Sequence, residues 1–181
     1  TTDNRTGRDP TTVKVAPGPA ENFSLNNMLT TDDVYRIRLL ELGPKDDVQV
    51  EFRAGAVEKF VQSQRGEGLF KEKDAERQFL ALPNLAKARF MLENTDRASA
   101  LRDDILVKSD PSVMVEFRTK IWPVLAEKCA TDACHGGARG QGKLKLYNVA
   151  MADERILHTN FYLLHSYDRS GLKLIQRGSY W

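Results

Sequence analysis

The sequence predicts a mainly α-helical fold with a small amount of β structure. Apolar residues recur at helical spacing through most of the chain, as in the stripe formed by Val34, Ile37 and Leu40. Strict alternation of polar and apolar residues, which is typical of a strand, covers only the short segment 47–52. The chain has 181 residues, 41% of them hydrophobic and 29% charged, which is a globular composition long enough for a sizeable core.

The N-terminal half is predicted to hold several helices after a flexible arm. Residues 1–20 are rich in Thr, Pro, Gly and charged residues, a composition typical of a disordered segment. The first helix has a cap at Thr30 or Thr31 and is expected to end at Gly43 and Pro44. After the strand, three further helices are predicted, in the segments 57–65, 71–92 (with Pro83 starting or kinking its second half) and 97–107.

The C-terminal half is predicted to be a second helical lobe that begins near Asp110. Pro111 suits the first turn of a helix, and Pro123 interrupts a helical pattern that continues to Cys129. A glycine-rich loop follows, and a last helix is expected over about 152–167. The sequence therefore predicts three parts: an arm at 1–20, a helical lobe of unassigned role with minor β structure at 21–109, and a second lobe at 110–181.

Charge and hydropathy exclude two classes of partner. Lys and Arg number 27 against 25 Asp and Glu, and the net charge of +2 lacks the basic excess of a nucleic-acid-binding protein. No apolar run reaches the length of about eighteen residues that a membrane-spanning helix needs. We therefore expect neither a nucleic-acid partner nor a membrane span, and the sequence predicts no oligomeric state.

The only two cysteines lie in one short motif, Cys129-Ala-Thr-Asp-Ala-Cys134-His135. A histidine directly after the second of two neighbouring cysteines is typical of c-type haem attachment, whose common form is C-x-x-C-H. Each thiol adds to one vinyl group of the haem, and the histidine becomes an axial ligand of the iron. Since this motif is C-x4-C-H, the two extra residues must loop outward. The motif predicts one covalent haem c on Cys129 and Cys134, with His135 as the proximal ligand.

The residues around the motif resemble a known family. An apolar helix precedes the first cysteine, and its Trp122 is predicted to pack on the haem or in the core. Glycines after the histidine, beginning with Gly136, would let the backbone pass close to a flat cofactor. The segment 121–129 (IWPVLAEKC), the following CHGG and the GKLKL at 142–146 resemble cytochrome c domains of the planctomycete type over about residues 114–147.

This resemblance implies a location, a fold and a function. The 110–181 lobe would be a cytochrome-c-like helical haem lobe in an exported protein, periplasmic or associated with the cell envelope. Its partner would be a redox protein, so that electron transfer is expected rather than an enzymatic activity. The sequence departs from the family pattern in the spacing of its cysteines.

A second axial ligand is expected from the C-terminal helix. His158 and His165 are the only other histidines, and their seven-residue spacing places both on one face of a helix. Either side chain could ligate the iron opposite His135, and two histidine ligands would give a low reduction potential. Met151 is a further candidate for this position.

Two other functions fit the same residues. With no distal ligand, the haem would have an open face, and the protein would be a haem enzyme or a sensor of small ligands. Without haem, Cys129 and Cys134 would form a disulfide, or would bind zinc with two of the histidines, in a binding or scaffold module. Carbon monoxide binding to the reduced protein tests the first alternative, and the colour of the purified protein tests the second.

Overall fold

The structure is a computed structural model of the chain. It describes residues 28–136, 144–148, 153–166, 168–169 and 172–173, so the arm predicted at 1–20 lies outside the described residues. Helices dominate the described residues, which confirms the mainly α fold. No described helix is both long and apolar enough to cross a membrane. In chain order the α-helices are α1 (Thr31–Leu40), α2 (Ala56–Glu67), α3 (Lys73–Ala81), α4 (Asn84–Glu93), α5 (Ser112–Glu116), α6 (Trp122–Lys128) and α7 (Glu154–Ser166).

Short strands form two antiparallel pairs, β1 (Val50–Phe52) with β2 (Ile105–Val107) and β3 (Asp168–Arg169) with β4 (Leu172–Lys173). The strand predicted at 47–52 is confirmed at its C-terminal end, where β1 lies. The helix predicted at 97–107 is wrong, because a 3-10 helix (Ala100–Asp104) leads directly into β2. The β-branched Ile105 and Val107 are both buried there and favour an extended backbone paired with β1.

Local sequence signals place the first helices as expected. Thr30 accepts a hydrogen bond from the Asp33 N–H at 3.2 Å, and the Asp33 carboxylate accepts one from the Thr30 N–H at 3.0 Å. This reciprocal capping box begins α1 and confirms Thr30 as the cap. Pro83 precedes α4 and divides the helical segment 71–92 into α3 and α4, as predicted.

Three hydrophobic clusters form the interior of the described residues, and the smallest contains Met28, Tyr147 and Ile156. The first contains four phenylalanines with ring centroids 5.2 to 6.2 Å apart, namely Phe60, Phe70, Phe79 and Phe90. The second joins the segment after Asp110 to α7 and contains Met114, Phe117, Ala130, Leu144, Leu146, Phe161 and Leu164. Ile37 of α1 also packs in the second cluster, so the division into lobes at 21–109 and 110–181 stays a prediction.

A buried ion network ties α1 to α7 beside Asp110. Arg38 Nε donates to Asp110 Oδ1 at 2.7 Å, and Arg38 Nη2 donates to Glu154 Oε2 at 2.7 Å. Arg118 also donates to the Asp110 carboxylate. The side chains of Arg38 and Asp110 are each only 4% exposed, which is tolerable because each charge has a partner of opposite sign. The network therefore fixes α7 against α1 at the start of the second hydrophobic cluster.

Candidate haem attachment site

The helical run before the motif contains one widened turn. A π-helical turn (Phe117–Ile121) separates α5 from α6, and Pro123 lies in the first turn of α6. Proline has no N–H to donate to the carbonyl four residues earlier, so the run widens at this point instead of breaking. The helix predicted to continue to the first cysteine is thereby preserved, since α6 ends at Lys128 with Cys129 as its C-cap.

Backbone hydrogen bonds close the C-x4-C-H segment into a compact loop. The His135 N–H donates to the Cys129 carbonyl at 3.0 Å, and the Cys134 N–H donates to the Thr131 carbonyl at 2.9 Å. The first of these bonds keeps the backbone of the histidine next to that of the first cysteine, although two extra residues separate the cysteines. Asp132 and Ala133 between the cysteines are exposed, so the intervening residues loop outward.

Gly136 is required by this loop. A Cβ atom built on Gly136 would lie 2.2 Å from the Ala130 carbonyl oxygen, closer than any side chain can approach. Its N–H donates to the Thr131 carbonyl at 2.8 Å. The close neighbour of this glycine is therefore the loop backbone itself, whereas the sequence suggested that it would make room for the cofactor.

Both thiols of the motif are free. Cys129 is half-buried and Cys134 is exposed, and they form no disulfide. Within the described residues, which include all three histidines, no group of three or more His, Cys, Asp or Glu side chains is arranged to hold a metal ion. The structure therefore assembles neither the disulfide nor the zinc set of the alternative without haem.

The ring of His135 is oriented by a neighbouring backbone carbonyl. Its Nδ1 lies 3.2 Å from the carbonyl oxygen of Leu144. Because a carbonyl oxygen only accepts, Nδ1 is the donor in this bond, and the lone pair of the neutral ring is then on Nε2. Histidines that ligate metals commonly donate their other N–H to such a carbonyl, which fixes the tautomer and raises ligand basicity.

Residues 144–148, here called the strap, connect the motif to two helices. The Leu146 N–H donates to the His135 carbonyl at 2.8 Å. Asn160 on α7 accepts from the Tyr147 N–H and donates to the Tyr147 carbonyl, both at 2.8 Å. Asn148 donates to two carbonyl oxygens at the end of α6, those of Ala126 at 3.1 Å and Ala130 at 2.9 Å.

Sequence reasoning missed both asparagines. A signal was present for Asn160, because it follows Ile156 by four residues and precedes Leu164 by four on one face of α7. A polar amide in an apolar row needs hydrogen-bond partners inside the protein. No comparable sequence signal marks Asn148.

The two histidines of α7 have different surroundings. His158 is fully buried, with Nδ1 2.8 Å from the Glu154 carbonyl oxygen. Its Nε2 lies 3.2 Å from Asp110 Oδ1, an ion-pair distance without good hydrogen-bond geometry. Both ring nitrogens therefore face oxygen atoms of the protein. His158 as a ligand of the iron stays a prediction, and in this structure its ring belongs to the network around Asp110.

His165 and Trp122 lie at the ends of one row of aromatic side chains. His165 is half-buried and stacks on Phe161, with ring centroids 6.2 Å apart. Phe161 meets Phe117 edge to face at 5.3 Å, and Phe117 lies 6.3 Å from Trp122. Trp122 thus packs in the second hydrophobic cluster. Met151, the third distal candidate, lies outside the described residues.

The donor set fits a covalent haem. Two free thiols flank an outward loop, and a histidine next to the second thiol has its Nδ1 bonded to a carbonyl. A cavity of about 310 Å³ occurs at a different place, beside Asp46, Asp110 and Ser112, and no motif residue lines it. The described cavities thus add no support for haem binding, and the fit depends on the chemistry of the motif.

Comparisons with protein-family models, with curated proteins and with solved structures find no match to this chain. The resemblance to cytochrome c domains of the planctomycete type accordingly stays a prediction that depends on the residues quoted for it.

Proposed function

We propose that this chain is an exported c-type haem protein that transfers electrons. One haem would be joined to Cys129 and Cys134, with His135 as its proximal ligand. The observation that carries the proposal is the hydrogen bond from His135 Nδ1 to the Leu144 carbonyl, within a motif whose two thiols are both free. This bond leaves Nε2 as the ring nitrogen with a lone pair.

The residues of the motif divide the work between attachment and ligation. Haem, when bound, supplies an iron that accepts and returns one electron. The Cys129 and Cys134 sulfurs would each form a thioether, and the His135 Nε2 would donate its lone pair. The Leu144 carbonyl would hold the proton at Nδ1 and keep the ring in one orientation. Export to the periplasm or cell envelope, and a redox partner protein, belong to the proposal through the resemblance.

The surroundings of His158 favour a second candidate function. Since its two ring nitrogens face Glu154 and Asp110, His165 is the α7 histidine that remains a candidate for the distal position. If His165 does not ligate, the haem would have an open face suited to a small ligand or to haem enzyme chemistry. Carbon monoxide binding to the reduced protein separates these functions, because a firmly held second ligand resists displacement.

The test is an absorption spectrum with an intact mass, on the full chain expressed with cytochrome c maturation machinery. We expect a Soret band, sharp α and β bands on reduction and a mass gain of one haem. Cys129→Ala and Cys134→Ala should each lose one thioether, and His135→Gln should alter the ligation spectrum. Asn84→Ala, which removes a side-chain hydrogen bond to the Val50 carbonyl in β1, serves as the control. A colourless protein at the mass of the bare polypeptide would overturn the proposal.

A further inference from the structure

The strap contacts His135 and the two helices α6 and α7. Through the Leu144 carbonyl and the Leu146 N–H it bonds to the ring and to the backbone of His135. A parallel bridge between Gly136 and Leu146 continues this contact. The position of the Leu144 carbonyl, and with it the His135 tautomer, therefore depends on what holds the strap in place.

Asn160 holds the strap against α7. Its side chain is fully buried, and its amide oxygen and nitrogen bond to the N–H and carbonyl of Tyr147, each at 2.8 Å. A side chain must carry both an acceptor and a donor to satisfy these two backbone groups at once, which asparagine does. If the amide were lost, the buried N–H and carbonyl of Tyr147 would lose the two hydrogen bonds that Asn160 supplies.

Asn148 holds the other end of the strap against α6. Its Nδ2 donates to the carbonyls of Ala126 and Ala130, at 3.1 and 2.9 Å. Carbonyls in the last turn of a helix have no partner within the helix, so a side-chain donor is favourable there. Ala130 lies inside the C-x4-C-H loop, and its oxygen is the atom nearest to a Cβ built on Gly136. Asn148 thus links the strap to the loop that carries the cysteines.

We propose that Asn148 and Asn160, here called the clamps, are positioning residues that fix the tautomer of His135. Together they hold the Leu144 carbonyl against Nδ1, so that Nε2 stays unprotonated and able to ligate a metal. The inference rests on the proposed function for its purpose, since an oriented Nε2 is what an iron ligand requires. Without the clamps, the Leu144 carbonyl would move relative to the ring, and a proton on Nε2 would block ligation.

The test compares Asn148→Ala and Asn160→Ala with Asn84→Ala in the full chain. The control also removes a hydrogen bond from an asparagine side chain to a backbone carbonyl distant in sequence, that of Val50 at 3.0 Å. With nitrogen-15 in the histidines, of which the chain has three, the imidazole spectrum reports the His135 tautomer and the exchange of its Nδ1 proton. Loss of a clamp should speed this exchange about five- to tenfold, the effect of one ordinary hydrogen bond. The control should not change it.

A second readout is the reduction potential of the haem-bearing protein. A weaker bond at Nδ1 lowers the basicity of the ligand, which should raise the potential in both clamp variants but not in Asn84→Ala. Because Asn160→Ala could prevent folding, the half-buried Asn148 supplies the variant that keeps the test decisive. If a folded Asn148→Ala protein had the wild-type His135 tautomer and the wild-type exchange rate of the Nδ1 proton, the inference would be overturned. A wild-type chain without haem would instead overturn the proposed function, and the exchange data would still decide the role of the clamps.

Discussion

Replacing Asp110 by asparagine should weaken the junction between α1 and α7. The Asp110 carboxylate is bound by Arg38 at 2.7 Å and by Arg118, and the ring of His158 lies 3.2 Å away. An asparagine side chain at this position would keep nearly the same shape and one acceptor oxygen, but not the charge. The variant therefore tests what the negative charge contributes, with little change in packing.

The pKa of Asp110 gives the size of the effect. Burial alone would raise this pKa, but the contacts from His158 and Arg38 outweigh it and lower the pKa from 3.8 to about 2. Because the Asp110 carboxyl is more acidic in the folded than in the unfolded state, its ionisation stabilises the folded protein. For this difference in pKa the contribution is about 2 kcal/mol. This contribution is complete above the ordinary pKa of 3.8 and is lost as the pH falls through about 2.

At neutral pH the asparagine variant should lose somewhat more free energy of unfolding than the ionisation of Asp110 contributes. Breaking a buried ion pair typically costs about 3 to 5 kcal/mol, because the remaining charge stays buried without a partner. Arg38 keeps its bond to Glu154 at 2.7 Å, which reduces the loss. We therefore expect the free energy of unfolding to fall by about 2 to 4 kcal/mol in Asp110→Asn.

Urea unfolding of the two proteins measures this loss, at neutral pH and then at decreasing pH. The difference in free energy of unfolding between wild type and Asp110→Asn should become smaller below about pH 4. At that pH the wild-type carboxyl takes up a proton on unfolding, which lowers the stability of the wild type. Asp103→Asn is the control: its partner Arg36 is 54% exposed and Asp103 itself 53%, so the loss should stay below about 1 kcal/mol. A loss no larger than in the control, or a difference independent of pH, would refute the reasoning.

Three further predictions concern the loop, the core and the distal ligand. Gly136→Ala should destabilise the protein more than Gly55→Ala, where an alanine at a φ of +77° costs about 1 to 2 kcal/mol. Equal unfolding midpoints of the two variants would contradict the close contact at Gly136. Phe60→Ala should lower the free energy of unfolding by about 3 to 5 kcal/mol in urea, and the 45%-exposed Leu80→Ala by much less; similar losses would contradict the phenylalanine cluster. In haem-bearing protein, His165→Gln should bind carbon monoxide more readily than wild type if His165 is the distal ligand, and unchanged binding would exclude that role.

Short-range signals allowed much of the helical fold to be predicted from the sequence. The cap at Thr30 and the division at Pro83 depend on residues within one turn of the helix they affect. The strand at 105–107 was missed because a run of three apolar residues fits a helix or a strand equally well. Only its pairing with residues 50–52, far away in the sequence, decides between them.

The candidate site shows the same limit more sharply. The motif itself is local, and its order of two cysteines and a histidine could be recognised directly. The spacing of His158 and His165 correctly placed them on one helix, but it could not show that Asp110 lies beside the first of them. That contact depends on how α7 packs against the segment after β2, which no periodicity in the sequence records.

Different parts of the structure hold the two thiols and orient the His135 ring, although all three residues belong to one motif. The thiols belong to a loop closed by its own backbone bonds, including the one from His135 N–H to the Cys129 carbonyl. The orientation of the His135 ring instead depends on the strap, which Asn148 and Asn160 attach to the helices. Substitution of a cysteine should therefore leave the Nδ1 proton of His135 in place, and substitution of a clamp should leave both thiols able to react. The variant cysteine spacing therefore bears on the attachment loop, whereas the strap orients the His135 ring through the Leu144 carbonyl.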